Sequence, residues 1–572
     1  MSKQMNKNKW NGLIMLLVLL ALIIPSHVIG IDRVVTIDEP WWVISGSNYY
    51  YALTHQDFET TIYDYHPAVT TTWIVTAGML SYFPKYRALE QGYFDVRKPK
   101  FEDFMRANGK EAMDLVRNSR LIQTTLLLAL AVLGYFLLQK LIDRTTAFPA
   151  IALAMTAPFF LGHSRLLNHE GMLAMFVLVS LLGMQTYLNK DRRLIYLLVS
   201  GAAFGLAQLT KSSSIVVVGV FGLMLLVNLF KSNGQTFSAK FWDAVKAFAI
   251  WFGTAALVYF ILWPGMWVAP GKMLAEVYGN AFSYAFQGAR IEVTEQLQPS
   301  SFNLITKLDG IALYFLSWAS STTPITWLGL IFAIMAFFSK DRERLSVPIK
   351  STLVYLVLLG GLFIAMFGIA QGRNSAHYIL SSYVCFDVIA GIGWAFVWMR
   401  LQNRWTGLNR VYSSILFFVI LIGAQISFGL PYAPYYFTYK SPFANEAATL
   451  GYGEGLAQAS DYLAQKPNST EIRAYVYNGM GTFSFFFPGK TLVFKRVYLI
   501  DEDFATITKD MKNSDYLVLY PIVREKQPET EKILGPLRDV NPEKIIIING
   551  LEYIYIYKIA DIPQNVYSEL DK

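Results

Sequence analysis

The chain has 572 residues, of which 54% are hydrophobic, 15% aromatic and only 16% charged. A soluble domain carries about a quarter charged residues, so this deficit, with long apolar runs, excludes a soluble globular protein and implies a polytopic membrane protein. The formal charge of +8 is no nucleic-acid signal, because Lys and Arg cluster in short loops between apolar segments. The single cysteine, Cys385, excludes an internal disulfide and a cysteine-based metal site.

The N-terminus is basic and then apolar, like a secretory signal, but no small-x-small cleavage site follows; it reads as an uncleaved first transmembrane helix. A span needs about 20 mostly apolar residues. Segments 11–30, 120–140, 146–162, 169–188, 194–210, 213–230, 243–263, 323–339, 350–370, 377–399 and 411–430 meet that pattern, giving about eleven spans. Segments 67–83 and 303–318 sit within long polar excursions and are expected to be interfacial or re-entrant. Lys and Arg collect in alternate short loops, as at Lys190, Arg192, Arg193, Arg342, Arg344, Arg400 and Arg410. The positive-inside rule puts those loops in the cytoplasm. It puts loops 31–119 and 264–322 and the C-terminal tail outside a plasma membrane. The expected domains are a transmembrane domain over 1–430 and an extracytoplasmic α/β domain over 431–572.

The stretch from Thr36 opens with adjacent carboxylates, Asp38 and Glu39, then Pro40, Trp41 and Trp42. Proline suits the first turn of a helix, and the aromatics suit a membrane–water boundary. A plain helix cap also accounts for Asp38-Glu39. The tail opens with a Pro- and Tyr-rich linker. A helix is expected over 446–465 and strands over 472–477, 491–497, 516–520, 544–548 and 553–559. Asn549-Gly550 between the last two is a hairpin signal. The G-Y-G-E-G at 451–455 follows no strand and is not a dinucleotide fingerprint.

On this topology several ionisable groups share the outer boundary: Asp38, Glu39, His66, His163, Arg165, His169, Glu170, Lys211, Arg290, Glu292, Glu295, Arg373 and His377. Each alone reads as a solvated loop charge; together, acids, histidines and bases from separate loops meet on one face. Cations near the headgroup plane would hold a phosphodiester anion, and a carboxylate would take a proton from an attacking hydroxyl. Histidines with acids could instead hold a divalent metal, although no H-x-x-x-H or HExxH spacing occurs.

D-E-P-W at 38–41, with H-P at 66–67 and Trp73, resembles the first outer loop of protein O-mannosyltransferases and of the bacterial aminoarabinose transferases, which carry Lys-Pro where this chain has His-Pro. H-S-R-L-L-N-H-E-G at 163–171, G-L-A-Q-L-T-K-S at 205–212, H-Y-I-L-S-S-Y at 377–383 and the tail are similar to later family segments. The resemblance implies a GT-C glycosyltransferase fold. It implies inverting transfer of a mannose-like sugar from a polyprenyl or dolichyl phosphate to a protein, glycan or lipid hydroxyl, with no certain cofactor. Asp38 would be the base, Glu39 would orient the acceptor or its neighbours, and Glu170 would be a second acidic site, where the family usually has Asp. Arg165, Lys211 and Arg373 would bind the donor phosphate, and His66, His169 and His377 would line the pocket. Many relatives carry Arg where His377 stands. A multispan transporter or flippase-type protein is the alternative. It would place its ionisable groups near the bilayer midplane, whereas here they gather at one edge.

Overall fold

The structure, a computed structural model, describes residues 2–98, 100–231, 236–291, 304–339, 347–370, 375–402, 404, 409–444 and 451–570. Two compact units form. The first comprises Met1–Ile29, Ala52–Trp73 and Leu121–Glu446; the second comprises Gly30–Tyr51, Ile74–Arg120 and Ala447–Lys572.

The first unit is helical. Among the described residues, eight helices are long and apolar enough to cross a membrane, and up to ten if each of two bent pairs is one span. This makes the chain an integral membrane protein. The exact count of eleven is therefore not confirmed, although every expected span is helical. Leu194–Thr210 accounts for the difference: its 17 residues reach about 25 Å at 1.5 Å per residue, short of a ~30 Å hydrocarbon core. Prolines explain both bends. Arg144–Thr156 and Pro158–Ser164 meet at 63°, and the helix ending at Ser320 meets Pro324–Phe338 at 111°; proline removes a backbone donor and disfavours helix at the residue before it. The second bend falls at the end of segment 303–318.

Apolar composition alone does not say which helices face lipid; burial does. The windows of Glu170–Asn189 and Ala376–Gln402 are 89% buried, whereas those of Trp10–Val28 and Phe237–Leu262 are only 22% buried, and the latter exposes large apolar side chains such as Phe252, Leu257 and Phe260. The inner helix Leu380–Gln402 is let in by glycines. A Cβ on Gly391 would lie 2.3 Å from Ala150 Cα, and one on Gly393 would lie 2.0 Å from the Gly329 carbonyl oxygen.

The second unit carries a five-stranded sheet of order β2-β1-β3-β5-β4: β1 Arg473–Tyr477, β2 Lys490–Phe494, β3 Tyr516–Leu519, β4 Lys544–Ile548 and β5 Leu551–Lys558. β1 pairs in parallel with β2 and β3, while β5 runs antiparallel to β3 and β4. All four side chains of β3 are buried, as expected for a strand covered on both faces. Asn549 and Gly550 both take positive φ, 52° and 81°, the signature of the two-residue hairpin turn. The helix expected over 446–465 is described as Leu456–Ala464, and 446–450 lie outside the described residues.

Residues 30–51 and 74–120 pack with this sheet region. Ser484 Oγ donates to Glu102 Oε1 at 2.6 Å, and Arg106 donates to the carbonyls of Ser484 and Phe487 at 2.9 and 2.7 Å. A Cβ on Gly481 would meet Pro40 Cγ at 2.1 Å, so the D-E-P turn rests on a glycine.

Candidate functional site

The adjacent carboxylates at 38 and 39 have opposite surroundings. The helix Glu39–Thr54 begins at Glu39, whose side chain is fully buried. Its Oε1 accepts from Arg120 Nε at 2.9 Å and Nη2 at 2.6 Å; its Oε2 accepts from Arg120 Nη2 at 2.6 Å and from the Thr36 N–H and hydroxyl at 2.9 and 3.1 Å. The reach back to Thr36 N is one half of a capping box, T-x-x-E. Arg120 is itself 1% exposed and also donates to the carbonyls of Ile31 and Val34. The structure thus engages Glu39 in holding the turn.

Asp38, one residue earlier, is exposed. Tyr452 Oη donates to its Oδ2 at 2.6 Å, and the Ile37 N–H donates to the Tyr452 carbonyl at 3.4 Å. On either side of it, Ile37 and Trp41 line a groove of about 360 Å³ shared with Arg97, Asn478, Lys495 and Arg496. The Arg97 guanidinium lies 5.8 Å from the Trp41 ring centre. Sugars and planar groups stack on such faces, and the groove's charges are basic.

The first unit holds a second cluster. The helix Leu194–Thr210 ends as Lys211 turns to extended backbone, φ −158° and ψ 130°. Glu170 opens the helix Glu170–Asn189, where a carboxylate is favoured by the helix dipole. The two side chains, each almost fully buried, form a direct ion pair through Lys211 Nζ and Glu170 Oε1. Gly171 makes the approach feasible, because a Cβ there would lie 2.6 Å from Ser164 Cα. Lys211 Nζ also sits 4.3 Å from the Tyr378 ring centre. Glu170 Oε2 and Ser213 Oγ are buried with no hydrogen-bond partner among the described residues.

The His66-Pro67 segment is tied to this cluster. The Ala68 N–H donates to the Thr210 carbonyl at 3.3 Å, and the hydroxyls of Thr70 and Thr210 lie 2.8 Å apart. His169 Nδ1 is 3.0 Å from Thr71 Oγ1, and the His66 and His169 rings are 6.1 Å apart. Burial, then Lys211, His169, Arg290 and His377, hold the His66 imidazole well below its usual pKa, so it is neutral at pH 7. His66 and Lys211 line a cavity of about 280 Å³ whose remaining lining is mostly apolar, including Phe282, Phe286, Met366 and Phe367.

The other expected site residues fall apart from that cavity or alongside it. Arg165 donates to the Ile29 carbonyl, packs its guanidinium 5.1 Å from the Tyr436 ring, and does not line the cavity. His377 packs against His163, rings 5.2 Å apart, and next to Tyr378. Arg290 pairs with Asp64 and lies over Tyr65. Arg373, Glu292 and Glu295 lie outside the described residues. No group of three His, Cys, Asp or Glu side chains suited to a metal occurs among the described residues. Sequence reasoning missed Arg120, Tyr452, Arg97 and Tyr378. Arg120 left a signal: a lone cation opening an apolar run asks for a partner.

Residues 113–263 match the family described as dolichyl-phosphate-mannose-protein mannosyltransferase. The resemblance seen in the sequence holds over that stretch, which carries the pattern of a glycosyltransferase family and contains Arg120, Arg165, His169, Glu170 and Lys211. Asp38 and His66 lie before it. No curated protein matches the chain. Among solved structures, ArnT from Cupriavidus metallidurans bound to undecaprenyl phosphate is 13% identical, with 94% of this chain and 97% of that chain covered and a TM-score of 0.46. The Archaeoglobus fulgidus oligosaccharyltransferase in complex with Zn and sulfate is 14% identical, with 97% and 74% covered and a TM-score of 0.46. The S. cerevisiae protein O-mannosyltransferase Pmt1-Pmt2 complex bound to the sugar donor is 17% identical, with 45% and 33% covered and a TM-score of 0.34.

Proposed function

We propose that the chain is a GT-C type glycosyltransferase that moves a mannose-like sugar from a polyprenyl or dolichyl phosphate to an acceptor hydroxyl on the extracytoplasmic face. The observation that carries this reading is the cavity headed by Lys211 and His66. Its lining suits a lipid phosphate, with apolar side chains for an isoprenoid chain and a cation for the anionic head. The Lys211 ammonium has three donors. One engages Glu170, which leaves others for a phosphate oxygen, and Ser213 Oγ supplies a further polar group. Neutral His66 can donate or accept toward the same head.

In this account Asp38 takes the hydroxyl proton as the oxygen attacks the anomeric carbon, and the bond to the lipid phosphate breaks on the opposite face, giving inversion. The phosphate leaves with the bonding pair, and its growing charge is met by Lys211. Glu39 acts indirectly: with Arg120 it fixes the turn that presents Asp38. Glu170 holds the Lys211 ammonium in place. The test is a proteoliposome assay with a labelled polyprenyl-phosphate sugar. Label appearing on an acceptor supports transfer; label crossing the bilayer still attached to its lipid supports the flippase reading instead.

A further inference from the structure

Two other helices of the first unit run away from His163 and His377. Arg144–Thr156 begins where the bent helix pair is farthest in sequence from His163, and Leu380–Gln402 ends at the opposite terminus from His377. At that far end lies a cavity of about 410 Å³ lined by Met15, Arg144, Phe396, Arg400, Arg410 and Ser414, among others. Three arginines from three separate helices line one space. No carboxylate lines it among the described residues. The nearest acid in sequence, Asp143, accepts from the Thr146 N–H and hydroxyl at 2.9 and 2.8 Å as a helix cap.

Local structure brings these groups together. Gln402 Nε2 donates to the Arg410 carbonyl at 2.7 Å and to Ser414 Oγ at 3.2 Å, which closes the end of one helix onto the start of the next. Arg400 lies 4.4 Å from the Phe396 ring centre and donates to Ser339 Oγ at 2.8 Å. Arg144 Nη1 would be in ordinary contact, at 3.9 Å, with a Cβ on Gly12. Arg144 and Arg410 are each the first residue of a helix, of 13 and 20 residues, so two positive dipole ends add to the three cations.

We propose that this cavity binds the phosphate headgroup of an anionic membrane phospholipid. Arginine matches phosphate oxygens in a bidentate fork. The buried Met15 and Phe396 beside the guanidiniums offer apolar surface to the glycerol and upper acyl chain. The basic-loop rule assigns this end to the cytoplasm, the leaflet face where anionic lipids meet basic pockets between transmembrane helices. Solvated orienting charges would not need to share one cavity. The proposal requires only the membrane reading and is independent of the transfer chemistry.

The full chain is reconstituted in nanodiscs with equal phosphatidylglycerol and phosphatidylcholine. It is then re-extracted into mild detergent, and the retained lipid is counted by native mass spectrometry. The wild type should retain phosphatidylglycerol roughly tenfold over phosphatidylcholine. Arg144→Gln/Arg400→Gln/Arg410→Gln should remove that preference. Arg410→Gln alone, at an exposed side chain, should lower it severalfold and serves if the triple variant fails to fold. Equal retention of both lipids by the wild type, or an undiminished preference in Arg410→Gln and the triple variant, overturns the proposal. Inorganic phosphate that displaces the lipid and protects the protein from heat equally well would make the ligand a soluble anion and overturn the lipid assignment.

Discussion

Two carboxylates one residue apart should fail in opposite ways. Glu39 accepts five hydrogen bonds at a fully buried position, three of them from Arg120. Glu39→Gln sets an amide against those donors and leaves a buried guanidinium without its counter-charge. Breaking such a pair costs about 3–5 kcal/mol. At about 2–4 °C per kcal/mol for a unit of this size, the second unit should melt roughly 6–20 °C lower. Asp38→Asn touches an exposed side chain that accepts from Tyr452. Melting should barely move while turnover falls by about 10²–10⁴, the usual contribution of a placed general base. Detergent-solubilised protein followed by tryptophan fluorescence gives the melting, and label transfer gives the turnover. Glu39→Gln/Arg120→Met, which removes the charge from both partners, should recover much of the lost stability. The reasoning is refuted if Glu39→Gln melts normally yet is inactive, or if Asp38→Asn keeps near-normal turnover.

Three further outcomes follow from the first unit. Lys211→Ala strands the Glu170 carboxylate, so it is best made with Glu170→Gln; the pair should fold, and turnover should fall roughly ten- to a hundredfold from the loss of a charge-assisted phosphate contact. Gly171→Ala drives a Cβ into Ser164 Cα and should lower both turnover and melting temperature, whereas Gly253→Ala, which meets nothing within 4 Å, should change neither. His66 stays neutral when folded but takes up a proton near pH 6.5 when unfolded, so the unfolded state binds more protons as pH falls and stability drops by up to about 1.4 kcal/mol per pH unit. Melting curves at pH 7, 6 and 5 should show that slope reduced in His66→Gln; an unchanged slope contradicts a buried neutral imidazole.

The spans were legible because lipid-facing and buried helices alike must be apolar, and the five strands because β-branched and aromatic runs sit between turn residues. The Asn549-Gly550 hairpin was readable to the residue. The number of crossings was not, since the 17 residues of Leu194–Thr210 are apolar enough to read as a span yet reach only about 25 Å. At the site, the sequence put Glu170 and Lys211 on one side of the membrane but could not pair them across 41 positions. It grouped Arg165 with Lys211 on charge and membrane side, whereas packing turns Arg165 toward Ile29 and Tyr436. The resemblance gave Asp38 and Glu39 different roles, but the residues alone could not show their opposite surroundings. That difference is made by Arg120, which hydropathy absorbs into an apolar run.

The donor is the centre of the account, and it can be tested with purified protein and one acceptor extract. A polyprenyl-phosphate sugar, offered without nucleotide, should yield labelled acceptor and free polyprenyl phosphate in equal amounts, with the new bond of opposite anomeric configuration. Nucleotide sugars offered without lipid carrier should yield nothing. Transfer from a nucleotide sugar in the absence of any lipid phosphate would contradict the roles given to Lys211, Glu170 and His66.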